Sequence, residues 1–408
     1  MLTLRPYQHA ALEKMLWSIK LPGNDICVLP TGAGKSVVIA KLAQELNQPI
    51  LILQPSKEIL EQNYKKLLHY VDESEVGIYS ASVNRKEVKK YTFATIQSVY
   101  KIPDQFKDFK VVLIDECHTL NPKNLDGMFT QFLEQIGSPK VFGFTATPYR
   151  LETTYQMVDG YLNAGTGLKL INRMKPFFWS RIIYNISNQE LIDQGYIVPL
   201  TYLDYSLFSH SELPFNKSCS DFDLEAISDK FTFKQDVVLD IIFDVQYRFK
   251  SVLVFCSSIS QAQNLSRLTP NSVVVTGATS TKDREFLIEN FKQGQIQTVF
   301  NVGVLTTGFD FPGLESIILL RPTQSLALYL QMLGRGVRLA PGKETCHVID
   351  LSGTVKKLGK IETVKLDKVD AGKWDIVTET GQWHNKILYT RQIEPKYSKQ
   401  QIFEVEPA

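Results

Sequence analysis

Short apolar runs recur along the chain with no polar residue alternating inside them: Ile26 to Leu29, Ile50 to Leu53, Val111 to Ile114 and Val141 to Phe144, then Val252 to Phe255, Val273 to Val275, Thr298 to Phe300 and Ile317 to Leu320. A strand covered on both faces reads this way, because neither row of side chains meets water. The stretches between the runs carry helical spacing. Ile59, Leu60, Tyr64, Leu67 and Leu68 would line one face of a helix that starts at Ser56, whose hydroxyl suits an N-cap. Strand–helix alternation predicts an α/β protein with parallel sheets and helices on both sides.

The runs form two sets, which divides the chain. Residues 1–150 and 236–352 are expected to be two α/β domains, joined by a connector at 151–235. The connector is irregular and aromatic (Phe177, Phe178, Trp179, Tyr184). Residues 353–408 alternate Val, Ile and Thr around Trp374 and Trp383, which suggests a small β-rich appendage.

Composition narrows the class. Hydrophobic residues are 44% and charged residues 22% of 408, an ordinary globular balance that excludes wholesale disorder. With 45 Lys and Arg against 43 Asp and Glu, a polyanion must be held by a local groove and not by global charge. The cysteines Cys27, Cys117, Cys219, Cys256 and Cys346 are scattered without a C-x-x-C pair, so neither a zinc ribbon nor a disulfide framework is expected. No run nears the ~18 apolar residues of a membrane span. Met1 to Gln8 lacks the apolar core of a signal peptide, so the expectation is a cytoplasmic protein with no membrane and no zinc.

Chemistry enters at Leu29-Pro30-Thr31-Gly32-Ala33-Gly34-Lys35-Ser36, between an apolar run and the helical segment Val37 to Leu46. A loop whose N–H groups all turn inward on a polyphosphate needs Gly32 and Gly34 where side chains would collide. Lys35 then reaches the terminal phosphates, and the Ser36 hydroxyl suits Mg²⁺. The first glycine of the usual pattern is Leu29 here. The run Val111 to Ile114 ends in Asp115-Glu116-Cys117-His118. Asp115 is the candidate for Mg²⁺, and Glu116 for orienting or deprotonating the attacking water.

These two motifs together resemble a superfamily 2 helicase or translocase with a D-E-x-H box, and the further motifs of that superfamily follow in order over residues 2 to 352. Leu4-Arg5-Pro6-Tyr7-Gln8 resembles the adenine-reading segment, with Arg5 and Gln8 at the base. Gln54 to Gln62 and Ala94 to Ser98 resemble nucleic-acid motifs, and Phe144-Thr145-Ala146-Thr147 resembles the segment that couples the domains. Leu305 to Pro312 resembles motif V, which assigns Gly308 and Asp310 to the nucleotide side. Gln331 to Arg338 resembles motif VI, in which Gln331 meets ATP and Arg335 and Arg338 supply guanidinium groups from the second domain. Arg335 and Arg338, three apart, are expected to project together from a helical turn. An arginine finger is worth about 10³–10⁵ in rate, so placing it on a separate domain makes hydrolysis conditional on closure.

The resemblance implies two RecA-like domains in tandem with ATP and Mg²⁺ between them. It also implies a nucleic-acid strand positioned by Thr95, Ser98, Ser257 and Thr306, with His118, Thr145 and Thr147 coupling the sites. Gln194-Gly195-Tyr196, Leu320 to Thr323 and the run ending at Lys343 are closer still to the RadD-like DNA-repair branch, whose cysteine-rich zinc region has no counterpart after Cys346. The expected activity is a nucleic-acid-stimulated ATPase, with DNA ahead of RNA, acting in repair, recombination or a defence assembly with protein partners. The rival expectation is an ATP-switched DNA clamp that shares every one of these residues. Trp179, Trp374 and Trp383 are expected in the core ahead of a base-stacking role.

Overall fold

The structure, a computed structural model, describes residues 3–120, 127–158, 161–175, 177–216, 221–306, 308–370, 373–379, 381–382 and 387–392. Every apolar run of the sequence forms a strand, and two sheets take them up. In the first, the spatial order is Trp179–Asn185, Asn24–Val28, Lys140–Thr145, Val111–Asp115, Ile50–Leu53, Tyr91–Ala94, Val76–Ser80 and Arg85–Lys86. Only the final pair is antiparallel. In the second, the order is Leu200–Asp204, Cys346–Asp350, Ser316–Leu319, Val252–Phe255, Thr298–Val302 and Ser272–Thr276, all parallel.

Two-sided burial explains the missing polar alternation. Ile50 and Ile52 enter one apolar cluster while Leu51 and Leu53 enter another on the opposite face. Each such side chain contributes about 1.5–3 kcal/mol on leaving water, which outweighs the modest preferences of so short a strand. The helix after Ile50–Leu53 runs Lys57–Leu67, and Ser56 caps it by accepting from the Ile59 N–H at 3.4 Å.

Two strands of the expected connector at 151–235 enter the sheets of the domains. Trp179–Asn185 joins the first sheet beside Asn24–Val28, with Arg181 opposite Asp25. Buried Asp25 accepts from Arg181 Nε at 2.7 Å and from Lys140 Nζ at 2.7 Å, so one carboxylate fastens three neighbouring strands. Trp179 is fully buried there, and it packs so closely that a Cβ on Gly143 would lie 2.5 Å from its ring. Leu200–Asp204 belongs to the second sheet. The crossing between domains is thus reduced to residues 186–199, which hold the short helix Asn188–Asp193.

The appendage is β-rich. Lys365–Asp370, Lys373–Thr378 and Gly381–Gln382 form an antiparallel sheet, and Ile387–Gln392 pairs with the hairpin of Tyr149–Val158 and Tyr161–Leu170. It touches both domains: Asn185 donates to the Leu366 carbonyl at 3.4 Å, and Tyr202 donates to Glu362 at 2.7 Å. Trp374 is half-buried against the core, whereas Trp383 lies outside the described residues. Among the described residues no helix is long and apolar enough to cross a membrane.

Candidate active site

Strand Asn24–Val28 feeds the loop from Leu29 to Gly34, which is tied to the neighbouring strand where Leu29 N–H donates to Thr145 O at 3.0 Å. Gly32 and Gly34 have φ of +87° and +75°, the left-handed region that the loop reading requires. Helix Lys35–Leu46 starts at once, with Ser36 in its first turn. Tyr7 and Gln8 brace the loop from below: the Tyr7 hydroxyl and Gln8 Nε2 donate to Ala33 O at 2.8 and 2.9 Å. Gln8 Oε1 accepts from Arg5 N–H at 2.9 Å, so both ends of the proposed base-reading amide already have partners.

The D-E-x-H segment comes up beside the loop. Lys35 Nζ lies 2.7 Å from Glu116 Oε1. Asp115 accepts from Asn63 Nδ2 at 3.0 Å and from Glu116 N–H at 2.9 Å. Glu116 itself sits at φ +46°, costly for a residue with a Cβ. Its N–H bond to Asp115 and the two bonds its carbonyl accepts from Thr119 hold it in that geometry. Burial alone would raise both acids. It does raise Asp115, whereas for Glu116 the adjacent Lys35 and His118 more than offset it and keep the carboxylate ionised. Burial would likewise strip the proton from Lys35, but Glu116 and Asp115 outweigh it and hold the ammonium charged.

His118 is the junction of the coupling residues. Its Nδ1 lies 2.9 Å from Thr145 Oγ1, 3.3 Å from Thr147 Oγ1 and 3.4 Å from Glu116 Oε2, and its Nε2 lies 3.5 Å from Gln331 of the second domain. Sequence spacing alone could not bring these five side chains together.

The second domain closes against the loop at Gly334, where a Cβ would lie 2.6 Å from Thr31 Cβ. The helix Leu326–Leu333 ends before the arginines, so they do not share a helical turn as expected. Gly334 and Gly336 turn the chain instead, and the two guanidinium groups take different surroundings. Arg335 is buried and donates to Phe309 O at 2.7 Å and Gln331 O at 3.2 Å; burial pushes its pKa down to about 10, and nearby Glu116 only partly offsets that. Arg338 is partly exposed and pairs with Asp310, while its Cγ lies 3.8 Å from the Cβ position at Gly32. Pro30, Thr31, Gly32 and both arginines therefore meet at one seam.

The remaining candidates divide. Gly308 faces the first domain, its carbonyl accepting from Gln62 Nε2 at 2.9 Å, and Arg284 reaches Glu58 at 3.7 Å beside it. Thr95 and Ser98 bond each other at 2.9 Å, and Ser98 also accepts from Ala81 N–H. Ser257 does not fit the strand-positioning expectation: it is buried and its hydroxyl donates to Leu320 O at 2.9 Å. Thr306, inside motif V, is half-buried. Gln62 and Tyr196 lie in segments that the sequence singles out without a role of their own, and Asn63 was missed by sequence reasoning. Asn63 lies one residue past the first nucleic-acid motif, one helical turn beyond Ile59, and that spacing was the only signal.

Oxygen donors at Ser36 and Asp115 beside a charged lysine suit a hard divalent cation shared with a polyphosphate. Residues 1–150 match the family described as type III restriction enzyme, res subunit, and residues 234–340 match the helicase conserved C-terminal domain. The helicase-named IRC3 of Saccharomyces cerevisiae is 27% identical over 86% of this chain and 51% of its own length. The DNA 3'-5' translocase XPB2 of Sulfurisphaera tokodaii is 25% identical, over 82% of this chain and 78% of its own. This chain therefore spans about half of the first of these relatives. A fragment named for the HsdR subunit of a type I restriction enzyme from Vibrio vulnificus superposes with TM-score 0.64 at 21% identity, covering 88% of this chain and 66% of that one. Saccharomyces cerevisiae Dbp5, bound to RNA and ADP BeF3, gives 0.57 at 16%, covering 88% of each. At these identities the structural likeness concerns the fold, two RecA-like domains in tandem. The two domain matches lie in that order along the chain, and the helicase-named relative spans most of it.

Proposed function

We propose that the protein hydrolyses ATP at the seam between its two domains and uses the cycle to move along a nucleic-acid strand, DNA ahead of RNA. The observation that supports this most directly is the seam itself. Lys35 and Glu116 come from the first domain and Arg335 and Arg338 from the second, all within one cluster beside the phosphate loop. The loop N–H groups and Lys35 would hold the phosphates, and Glu116, kept ionised by Lys35, would orient or deprotonate the attacking water. Ser36 and Asp115 would hold Mg²⁺, which when bound neutralises charge on the phosphates. Arg335 and Arg338 would steady the charge that develops in transfer. Gln331, His118, Thr145 and Thr147 touch across the seam, and they would couple this cluster to a strand positioned by Thr95, Ser98 and Thr306.

The RadD-like phrases, including Gln194-Gly195-Tyr196, favour a repair or recombination role. The restriction-enzyme likenesses favour work inside a larger assembly with protein partners. ATP turnover measured with single-stranded, duplex and branched DNA and with RNA tests the substrate. Release of a tightly held end-block from single-stranded DNA tests movement. Turnover that DNA stimulates without release of the block would favour the clamp.

A further inference from the structure

The segment Gln194-Gly195-Tyr196 ends the linker helix in a way that aims one ring. Gly195 has φ +69°, and Tyr196 N–H donates back to Leu191 O at 2.8 Å, closing the helix with a left-handed glycine. The chain then runs straight along the phosphate loop. Ile197 Cγ2 lies 3.4 Å from the Cβ position at Gly32, and Val198 N–H donates to Val337 O at 2.8 Å, between the two motif VI arginines.

The ring itself lands on the N-terminal segment. Arg5 Cζ sits 4.7 Å from the centroid of Tyr196, and an Arg5 guanidinium N–H donates to the Tyr196 carbonyl at 3.3 Å. Tyr7 closes the group, its ring 5.1 Å from Tyr196 and tilted by 58°. Arg5 has many rotamers when free, and here one aromatic face and one carbonyl fix its plane. A guanidinium stacked on one face keeps its other face for a second flat partner. Arg5 is half-exposed, and Gln8 beside it is bonded to the loop at Ala33. The flat partner in reach of a triphosphate held by that loop is the nucleobase.

We propose that Tyr196, a linker residue, is a positioning residue for the nucleobase: it holds Arg5 flat so that the base can stack on the opposite face. The inference rests on the ATP-site reading above and adds to it that the base subsite is assembled from the N-terminus and the interdomain linker together. Because Val198 is bonded to Val337, a movement of the motif VI arginines away from the loop draws Tyr196 off Arg5. Base affinity then falls as the domains part.

The test uses the full chain and two probes, MgATP and magnesium tripolyphosphate, which shares the phosphates but has no base. Binding is measured by calorimetry for the wild type, Tyr196→Leu, Tyr196→Phe and Arg5→Lys. Tyr196→Leu keeps apolar bulk and loses the π face, and Arg5→Lys keeps charge and loses the plane. Both are expected to weaken MgATP roughly tenfold and leave tripolyphosphate within about twofold of wild type. Tyr196→Phe should bind both as the wild type does. Equal weakening of both probes, or of neither, overturns the proposal. Arg5→Lys, at a half-exposed position, keeps the test decisive if Tyr196→Leu fails to fold. Failure of the underlying site shows differently: Lys35→Ala would then bind tripolyphosphate as well as the wild type does.

Discussion

Lys35 Nζ and Glu116 Oε1 stand 2.7 Å apart with side chains only 12% and 15% exposed, so each is the counter-ion of the other in a buried cleft. Removing one partner of such a pair leaves a charge with no compensation, which costs about 3–5 kcal/mol, whereas replacing both can be nearly neutral. Lys35→Ala is expected to abolish ATP turnover and to lower stability to urea by an amount in that range. The double variant Lys35→Met, Glu116→Gln should be more stable than Lys35→Met alone while remaining inactive. Equal unfolding midpoints for the single and double variants would show that Glu116 is not held by Lys35.

The two motif VI arginines should separate by stability and not by activity. Each is expected to lower ATP turnover by about 10³-fold or more when changed to Ala, as loss of a finger arginine does. Arg335 also holds two carbonyls, Phe309 O and Gln331 O, from a buried position, so Arg335→Ala should lower the melting temperature. Arg338 pairs with Asp310, itself half-exposed, and burial pushes the arginine's pKa down to about 10, so losing its charge costs little and Arg338→Ala should melt closer to wild type than Arg335→Ala does. Wild-type turnover in Arg338→Ala would refute its role across the seam.

Strands were the legible part of the fold, because a run such as Ile50 to Leu53 is buried on both faces and carries no polar residue to hide it. Trp179–Asn185 was not legible as a sheet strand. Its burial is mixed, and its place is fixed by Arg181 reaching Asp25, a contact between residues 156 apart. The same limit governs the site. Lys35 and Glu116 could be named from local motifs, since each motif is a loop or a strand end with its own chemistry. Asn63 behind Asp115, the different partners of Arg335 and Arg338, and Tyr196 against Arg5 depend on how distant segments pack. Ser257 shows the converse: its motif is local, but a neighbouring carbonyl takes its hydroxyl.

His118 offers a way to part fuel use from movement. Its ring touches Glu116 on the nucleotide side, Thr145 and Thr147 in its own domain and Gln331 in the other. His118→Ala removes a relay and leaves Lys35, Glu116 and both arginines in place. ATP turnover is expected to stay within about tenfold of wild type, because no group proposed to touch the phosphates is lost. End-block release per ATP should fall much further. The ratio of the two rates, measured in one reaction, decides the matter: an unchanged ratio removes His118 from the coupling path.

His210 should make stability depend on acid. Both its ring nitrogens are sealed from solvent, the ring lies 5.0 Å from Phe222, and burial, with Lys357 adding to it, pushes its pKa down to about 4. The folded protein thus resists a proton that the unfolded chain accepts near pH 6.5. Stability from this group is intact above that pH and is lost as pH falls from about 6.5 toward 4. Half-buried His347, its pKa also lowered by burial, acts in the same direction, and buried Asp350, whose pKa burial raises, acts in the opposite one, so the raw pH profile mixes them. Comparison with His210→Phe isolates the histidine. Between pH 7 and 5 the wild type should lose about 1–2 kcal/mol more than the variant in urea unfolding. Parallel profiles for the two proteins would mean that the imidazole takes up its proton in the folded state as freely as in water.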